Sequence, residues 1–225
     1  VAMVKNAIYG IIAAKASGIP NPTVGIANID GARQAEKALL KLKENGYDIS
    51  FADSARADGG LMMRGNDLLA GTSDIMVMDA LTGNLMTKIF SAYSTGGNYE
   101  SLGWGYGPGI GMGYDKIIMI ISRASGAPVI AGAIEYATEL VKNNCLRIAE
   151  EEFNKAEKAG LKVILEGLKS SKKAEPVAEV KEPPKEVVTA QISGIEVMDL
   201  EDAVKALWKE NIYAESGMGC TGPII

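Results

Sequence analysis

Apolar residues recur along this chain in two rhythms: short unbroken runs, and runs spaced three or four apart. Ala2 to Ala16 reads as a helix closed by Gly18 and Pro20, and Thr23 to Ala27 as a short buried strand. Asp30 can cap a helix reaching Asn45, with Ala35, Ala38, Leu39 and Leu42 on one face and Gly46 at its end. Ile49 to Phe51 reads as a strand, Asp53 to Gly60 as a loop, and the stretch around Leu61 to Leu69 as a short helix. Ile75 to Met78 is an apolar strand ending at Asp79, after which Thr82 can cap a helix from Asn84 to Tyr93. A glycine-rich loop spans Gly96 to Gly113, and Ile117 to Ile121 is the clearest buried strand. Pro128 marks the first turn of a helix reaching Asn143. Leu146, Ala149, Phe153 and Ala156 give the next helix its apolar face. Continuous apolar strands alternating with helices imply an α/β fold whose doubly wound, mostly parallel sheet is covered on both faces.

The segment from Ser171 to Ala190 breaks the pattern, with four Lys, four Glu and three Pro but no Leu, Ile or aromatic residue. Such a segment reads as a solvated, mobile linker. A small α/β unit is expected after it. Ile192 to Val197 reads as a strand, and Asp199 can cap a helix carrying Leu200, Val204, Leu207 and Trp208. The expected organisation is therefore a sheet domain over 1–170, a linker over 171–190 and a cysteine-bearing unit over 191–225. The linker either tethers a swinging carrier unit or is an inserted loop joining two packed parts. The chain opens inside a helix without an initiator Met and stops in mid-strand at Ile225, so both ends read as artificial.

Composition narrows the chemistry. Apolar residues make up 47% and charged residues 23%, with a net charge of −5, so nothing points to nucleic acid or an anionic membrane as partner. No apolar run is long enough to span a bilayer. The absence of histidine removes Ser-His-Asp and Cys-His catalysis from within this chain, and most zinc sites; no metal is expected. Two cysteines far apart, Cys145 and Cys220, are no disulfide scaffold and suit a reducing cytoplasm.

Four segments could carry chemistry. Asp79-Ala-Leu-Thr82-Gly83-Asn84 lies at a strand end and a helix start, where free N–H groups attract an anion. Simple capping by Thr82 is the structural alternative. Ser122-Arg123-Ala-Ser125-Gly126 has the same placement; Arg123 could grip a phosphate bidentately, with Ser122 or Ser125 donating to it. A surface arginine beside a cap is the alternative there. The stretch Ser94 to Gly109 holds many glycines with Tyr99, Trp104 and Tyr106, and matches neither the nucleotide P-loop nor the dinucleotide fingerprint. Cys220 lies in Gly-Cys-Thr-Gly, where successive N–H groups could stabilise a thiolate or a thioester oxyanion, whereas Cys145 reads as structural. The charged loop from Asp53 to Gly60, with Arg64, is either part of the same pocket edge or a solvated loop.

Longer strings carry a resemblance. The stretch from Thr23-Val-Gly-Ile-Ala-Asn-Ile through Asp67-Leu-Leu-Ala-Gly-Thr-Ser-Asp-Ile-Met-Val-Met-Asp79 to Asn84 resembles phosphate acyltransferases of the PlsX type. Phosphotransacetylases share the Asp-x-x-Thr-Gly-Asn turn and a Ser-Arg pair like Ser122-Arg123. Phe51 to Arg64, Tyr106-Gly-Pro-Gly-Ile, Ile121-Ser-Arg-Ala-Ser-Gly-Ala-Pro and Tyr213 to Pro223 resemble the alpha subunits of glycine/sarcosine/betaine reductase component C. That resemblance covers all of the chain except the linker.

The resemblance implies a subunit that forms acetyl phosphate from an acetyl thioester and inorganic phosphate. Phosphate enters as substrate and no bound cofactor is implied. The implied partners are the beta subunit of component C and selenoprotein A, whose carboxymethyl group supplies the two-carbon unit. Cys220 matches the acetyl-accepting cysteine. Asp79, Thr82, Gly83, Asn84, Ser122 and Arg123 match phosphate- and acyl-site positions. The family's N-terminal lobe and a final helix are not in this sequence. Where phosphotransacetylases carry an acid after Ser-Arg, this chain has Pro128, Val129 and Ile130, which suits an internal thioester better than exchange with coenzyme A.

Overall fold

The computed structural model describes residues 1–56, 59–95, 97, 99–170, 180–192, 195, 200–219 and 222–225. The chain divides into two compact units, Val1–Ser170 and Ser171–Ile225.

In the first unit, helix α1 (Ala2–Ala16) buries Met3, Val4, Ala7, Ile8, Ile11 and Ile12, the set that helical spacing puts on one face. Strand β1 (Thr23–Ala27) follows and is central to a parallel sheet. The Val24 carbonyl accepts from Ala52 N–H, and Ile26 N–H donates to the Leu61 carbonyl. Strands β2 (Ser50–Phe51) and β3 (Met62–Met63) therefore share one edge of β1, while β4 (Ile75–Val77) takes the other. Gly25 lies where a Cβ would meet Met63 Cγ at 2.5 Å and Ser73 Oγ at 2.8 Å, so only glycine lets these strands close up. The expected α/β class and parallel sheet are observed.

Helix α2 (Ala32–Glu44) buries Ala35, Ala38, Leu39 and Leu42 as expected. Its start differs: Gly31, at φ 80°, occupies the N-cap with no side-chain cap bond, so Asp30 does not cap it. The helix expected over Leu61 to Leu69 is divided, with β3 first and then α3 (Gly65–Ala70). The buried Asp67 carboxylate accepts from Ser54 Oγ, Ala55 N–H and Arg64 N–H, which fixes the loop after β2 against α3.

Helix α4 (Ala80–Thr95) is longer than expected and buries only Ser91; Leu81, Leu85, Ile89 and Tyr93 form an exposed stripe four residues apart. Ile117 to Ile121, expected as the clearest buried strand, is corrected. Ile118 forms one isolated antiparallel bridge with Gly109, and Ile118, Ile120 and Ile121 are exposed. Its backbone partner is the glycine-rich stretch: a Cβ at Gly105 would meet the Ile120 carbonyl at 2.4 Å, and ones at Gly107 and Gly109 the Ile118 carbonyl at 3.2 and 3.1 Å. Glycine at every second position keeps that face of the loop open to the 118–120 backbone.

Helices α5 (Ala127–Lys142), α6 (Cys145–Lys158) and α7 (Leu161–Ser170) complete the unit. Its core joins α1, the sheet and α2 to Leu140, Cys145, Ala149, Phe153, Ala156 and Leu161. Within it the buried Glu152 accepts from Lys15, Lys155 and the Tyr47 hydroxyl.

In the second unit, positions 171–179 of the expected linker and most of the expected strand from Ile192 to Val197, together with Asp199, lie outside the described residues. Residues 180–190 have no regular secondary structure. Helix α8 (Leu200–Lys209) buries Val204 against Ala214 and Ile225. Strands β5 (Gly217–Gly219) and β6 (Gly222–Ile224) pair antiparallel, and Ile192 exchanges two backbone hydrogen bonds with Ile225.

Candidate functional site

Strand β4 delivers Asp79 to the start of α4. One oxygen of its carboxylate accepts from Leu81 N–H at 2.8 Å and Thr82 N–H at 3.0 Å, and the Thr82 hydroxyl donates to the other. These bonds, led by those from Thr82, hold the Asp79 carboxyl below the usual carboxylate range. The cap is thus Asp79, with Thr82 as donor, the reverse of the capping considered for this turn. Gly83 lies inside the first turn of α4, and its carbonyl accepts from the Thr87 hydroxyl at 3.0 Å. Asn84 is exposed on the next turn.

Asn84 and Lys88 are four residues apart and share a face of α4. The Lys88 ammonium donates to Ser122 Oγ at 2.9 Å and to a carboxylate oxygen of Glu100. Glu100 lies twelve residues on, and its side chain is buried. Its backbone bridges Ser125: Glu100 N–H donates to the Ala124 carbonyl, and Gly126 N–H donates to the Glu100 carbonyl. Gly126 is required there, because a Cβ would meet Tyr99 Cδ2 at 2.5 Å.

Four side chains converge on the Glu100 carboxylate. Lys88 and the Tyr106 hydroxyl bond one oxygen; Ser122 Oγ at 3.0 Å and Ser125 Oγ at 2.8 Å bond the other. Burial pushes the Glu100 carboxyl up, but the four donors, Lys88 first, prevail and bring it down to about 2. Lys88 moves the other way, held above its ordinary value by Glu100 and then Tyr106. Its ammonium also lies 5.0 Å from the centre of the Tyr106 ring.

Both serine hydroxyl protons are directed at Glu100, while Ser122 Oγ accepts from Lys88 and from Ala124 N–H. Arg123, beside Ser122, is exposed. The structure therefore brings Ser122 and its turn to α4, the helix that begins at Asp79, Thr82 and Gly83 and carries Asn84. Lys88 makes the link. Sequence reasoning missed Lys88, Glu100 and the role of Tyr106; the one signal was the spacing of four from Asn84 to Lys88.

Cys220 lies outside the described residues. Cys145 is buried in the core as expected, and burial raises its thiol. Among the described residues no group of His, Cys, Asp or Glu is placed to hold a metal ion, and no helix is long and apolar enough to cross a membrane. An open apolar groove of about 550 Å³ lies between Met119 and Ile121 on one side and Ile130, Ile134 and Val141 of α5 on the other.

The sequence profile of the family described as fatty acid synthesis protein matches residues 1–225. The chain is 65% identical, over all of its 225 residues, to the glycine/sarcosine/betaine reductase complex component C subunit alpha of Peptoclostridium acidaminophilum, and spans 58% of that protein's length. It is 36% identical over 87 residues to a phosphate acyltransferase of Gluconacetobacter diazotrophicus, covering 38% of this chain and 22% of that one. A phosphate acyltransferase of a Geobacillus species is 33% identical over 92 residues, 38% of this chain and 25% of the other. No solved structure matches.

Proposed function

Because this chain belongs to the fatty acid synthesis protein family, we propose that it is the phosphate-handling part of a subunit that makes acetyl phosphate from an acetyl thioester. One observation carries the reading: Lys88, on the helix that begins at the Asp79–Asn84 turn, is hydrogen-bonded to Ser122 of the second turn. Lys88 thus links the two turns, which supports a phosphate held between them. The 65% identity to a component C alpha subunit supplies the acyl context.

In this reading Cys220 holds the acetyl group. Inorganic phosphate sits among Thr82, Gly83, Asn84, Ser122 and Arg123. A phosphate oxygen attacks the thioester carbonyl, forming a C–O bond. The C–S bond then breaks, and the thiolate of Cys220 leaves with the proton that phosphate gives up. Phosphate is its own nucleophile, so the protein contributes position and electrostatic stabilisation. The beta subunit of component C and carboxymethylated selenoprotein A are the proposed partners, in the cytoplasm.

The test runs the reaction backwards. Full-length subunit, with and without its beta partner, is mixed with labelled acetyl phosphate, and hydroxylamine-sensitive label is mapped by peptide mass. Label on Cys220 is the expected result, and Cys220→Ala should abolish it. Label confined to the beta subunit overturns the reading. Rapid transfer to coenzyme A with no label on Cys220 replaces it with a direct acyltransferase, the activity in the names of the 33–36% identical relatives.

A further inference from the structure

We infer that Lys88 is a direct phosphate contact of the acyl-transfer site proposed above, held in place by Glu100 as its positioning carboxylate; this rests on that reading of the site.

An ammonium has three N–H donors. Those of Lys88 reach the Glu100 carboxylate and Ser122 Oγ, with the Tyr106 hydroxyl beside them, and the ammonium stays partly open to a ligand. The two partners of the ion pair are buried unequally: the Glu100 side chain is 4% exposed, the Lys88 side chain 36%. The carboxylate is shielded, and the ammonium can be reached by a solute.

The neighbours of Lys88 suit an anion. Asn84 shares its face of α4, and exposed Arg123 follows its partner Ser122 directly in sequence. Glu100 balances Lys88 within the ion pair, and Arg123 is the further cation of the adjoining turn. The serines do not do this work themselves, since both their protons are directed at Glu100. They tie the turn to the carboxylate that seats Lys88. A lysine acts on phosphate as a point charge, complementing the flat fork of Arg123. The four donors on Glu100 keep it ionised and so keep Lys88 an ammonium throughout the neutral range.

The test measures inorganic phosphate directly, by equilibrium dialysis with radiolabelled phosphate. Initial rates against phosphate concentration are measured in parallel, on the full-length subunit with its partners. Lys88→Met should weaken phosphate binding about tenfold or more, the loss expected for one hydrogen bond from a charged donor. The KM for phosphate should rise by a similar factor, and Lys88→Arg should recover part of both. Lys88→Met alone leaves Glu100 buried with its main partner gone, so the double variant Lys88→Met/Glu100→Gln removes that folding hazard and should bind phosphate equally weakly. Wild-type affinity in the double variant overturns the role of Lys88 and leaves acetyl phosphate formation standing. A wild-type subunit that binds no phosphate overturns the site reading itself, and the inference with it.

Discussion

Glu100 has no distinguishing neighbours in sequence, yet it organises the polar cluster because its partners return to it from six to twenty-five residues away. Its carboxyl falls from an ordinary 4.5 to about 2 in the folded protein. A depressed acid contributes stability that is fully present above its unfolded value. That stability is lost as pH falls through the folded one. The contribution should therefore fade between about pH 4.5 and about 2. Glu100→Gln should flatten that limb of a melting-temperature profile without erasing it, because Asp67, Asp74 and Asp79 are also depressed, by backbone and hydroxyl donors. An unchanged acid limb in Glu100→Gln would show that the carboxylate is not ionised in the cluster. Asp79 and Thr82 were legible as a strand-end turn. Which of them caps was not, because either can bond the first N–H groups and only the backbone path selects one.

Helices show the same division. The buried face of α2 follows directly from its spacing, since Ala35, Ala38, Leu39 and Leu42 meet the sheet and α7. The stripe of α4 has equally good spacing and faces outward. Periodicity identifies an apolar face but not what covers it. Charged side chains join other elements. Glu152 of α6 takes Lys15 from α1 and the hydroxyl of Tyr47, which follows α2. Burial, and then Glu152, raise the Tyr47 hydroxyl far above its ordinary range. Glu152→Ala would leave that buried hydroxyl without its acceptor, whereas Lys155 and, in part, Lys15 can turn to water. A loss of about 1–3 kcal/mol is expected, read from urea unfolding. A wild-type midpoint would mean that water replaces the carboxylate.

At the scale of the molecule, the chain spans 58% of the length of its 65% identical relative, and several of its large apolar side chains are exposed. Leu81, Leu85, Ile89, Phe90 and Tyr93 of α4 are open, as are Ile118, Ile120 and Ile121 with the groove beside α5. Contiguous apolar surface of this kind drives association. The 225-residue chain should sediment as larger species as its concentration rises. A chain that stays monomeric at every concentration would show that these side chains are tolerated singly in water.

The sequence by itself determined the class of fold, because apolar runs on the scale of a strand and of a helix leave few ways to bury both. It also determined the family, through strings too long to arise from packing alone, and singled out the two turns proposed to flank a phosphate. Tertiary structure decided what depends on separation in sequence. Lys88, Glu100, Tyr106 and the two serines form one centre only after the glycine-rich stretch packs, with no side chains of its own between, against the backbone of residues 118–120. That same packing leaves Ile118, Ile120 and Ile121 as a surface, since a strand is buried by its neighbours and not by its composition.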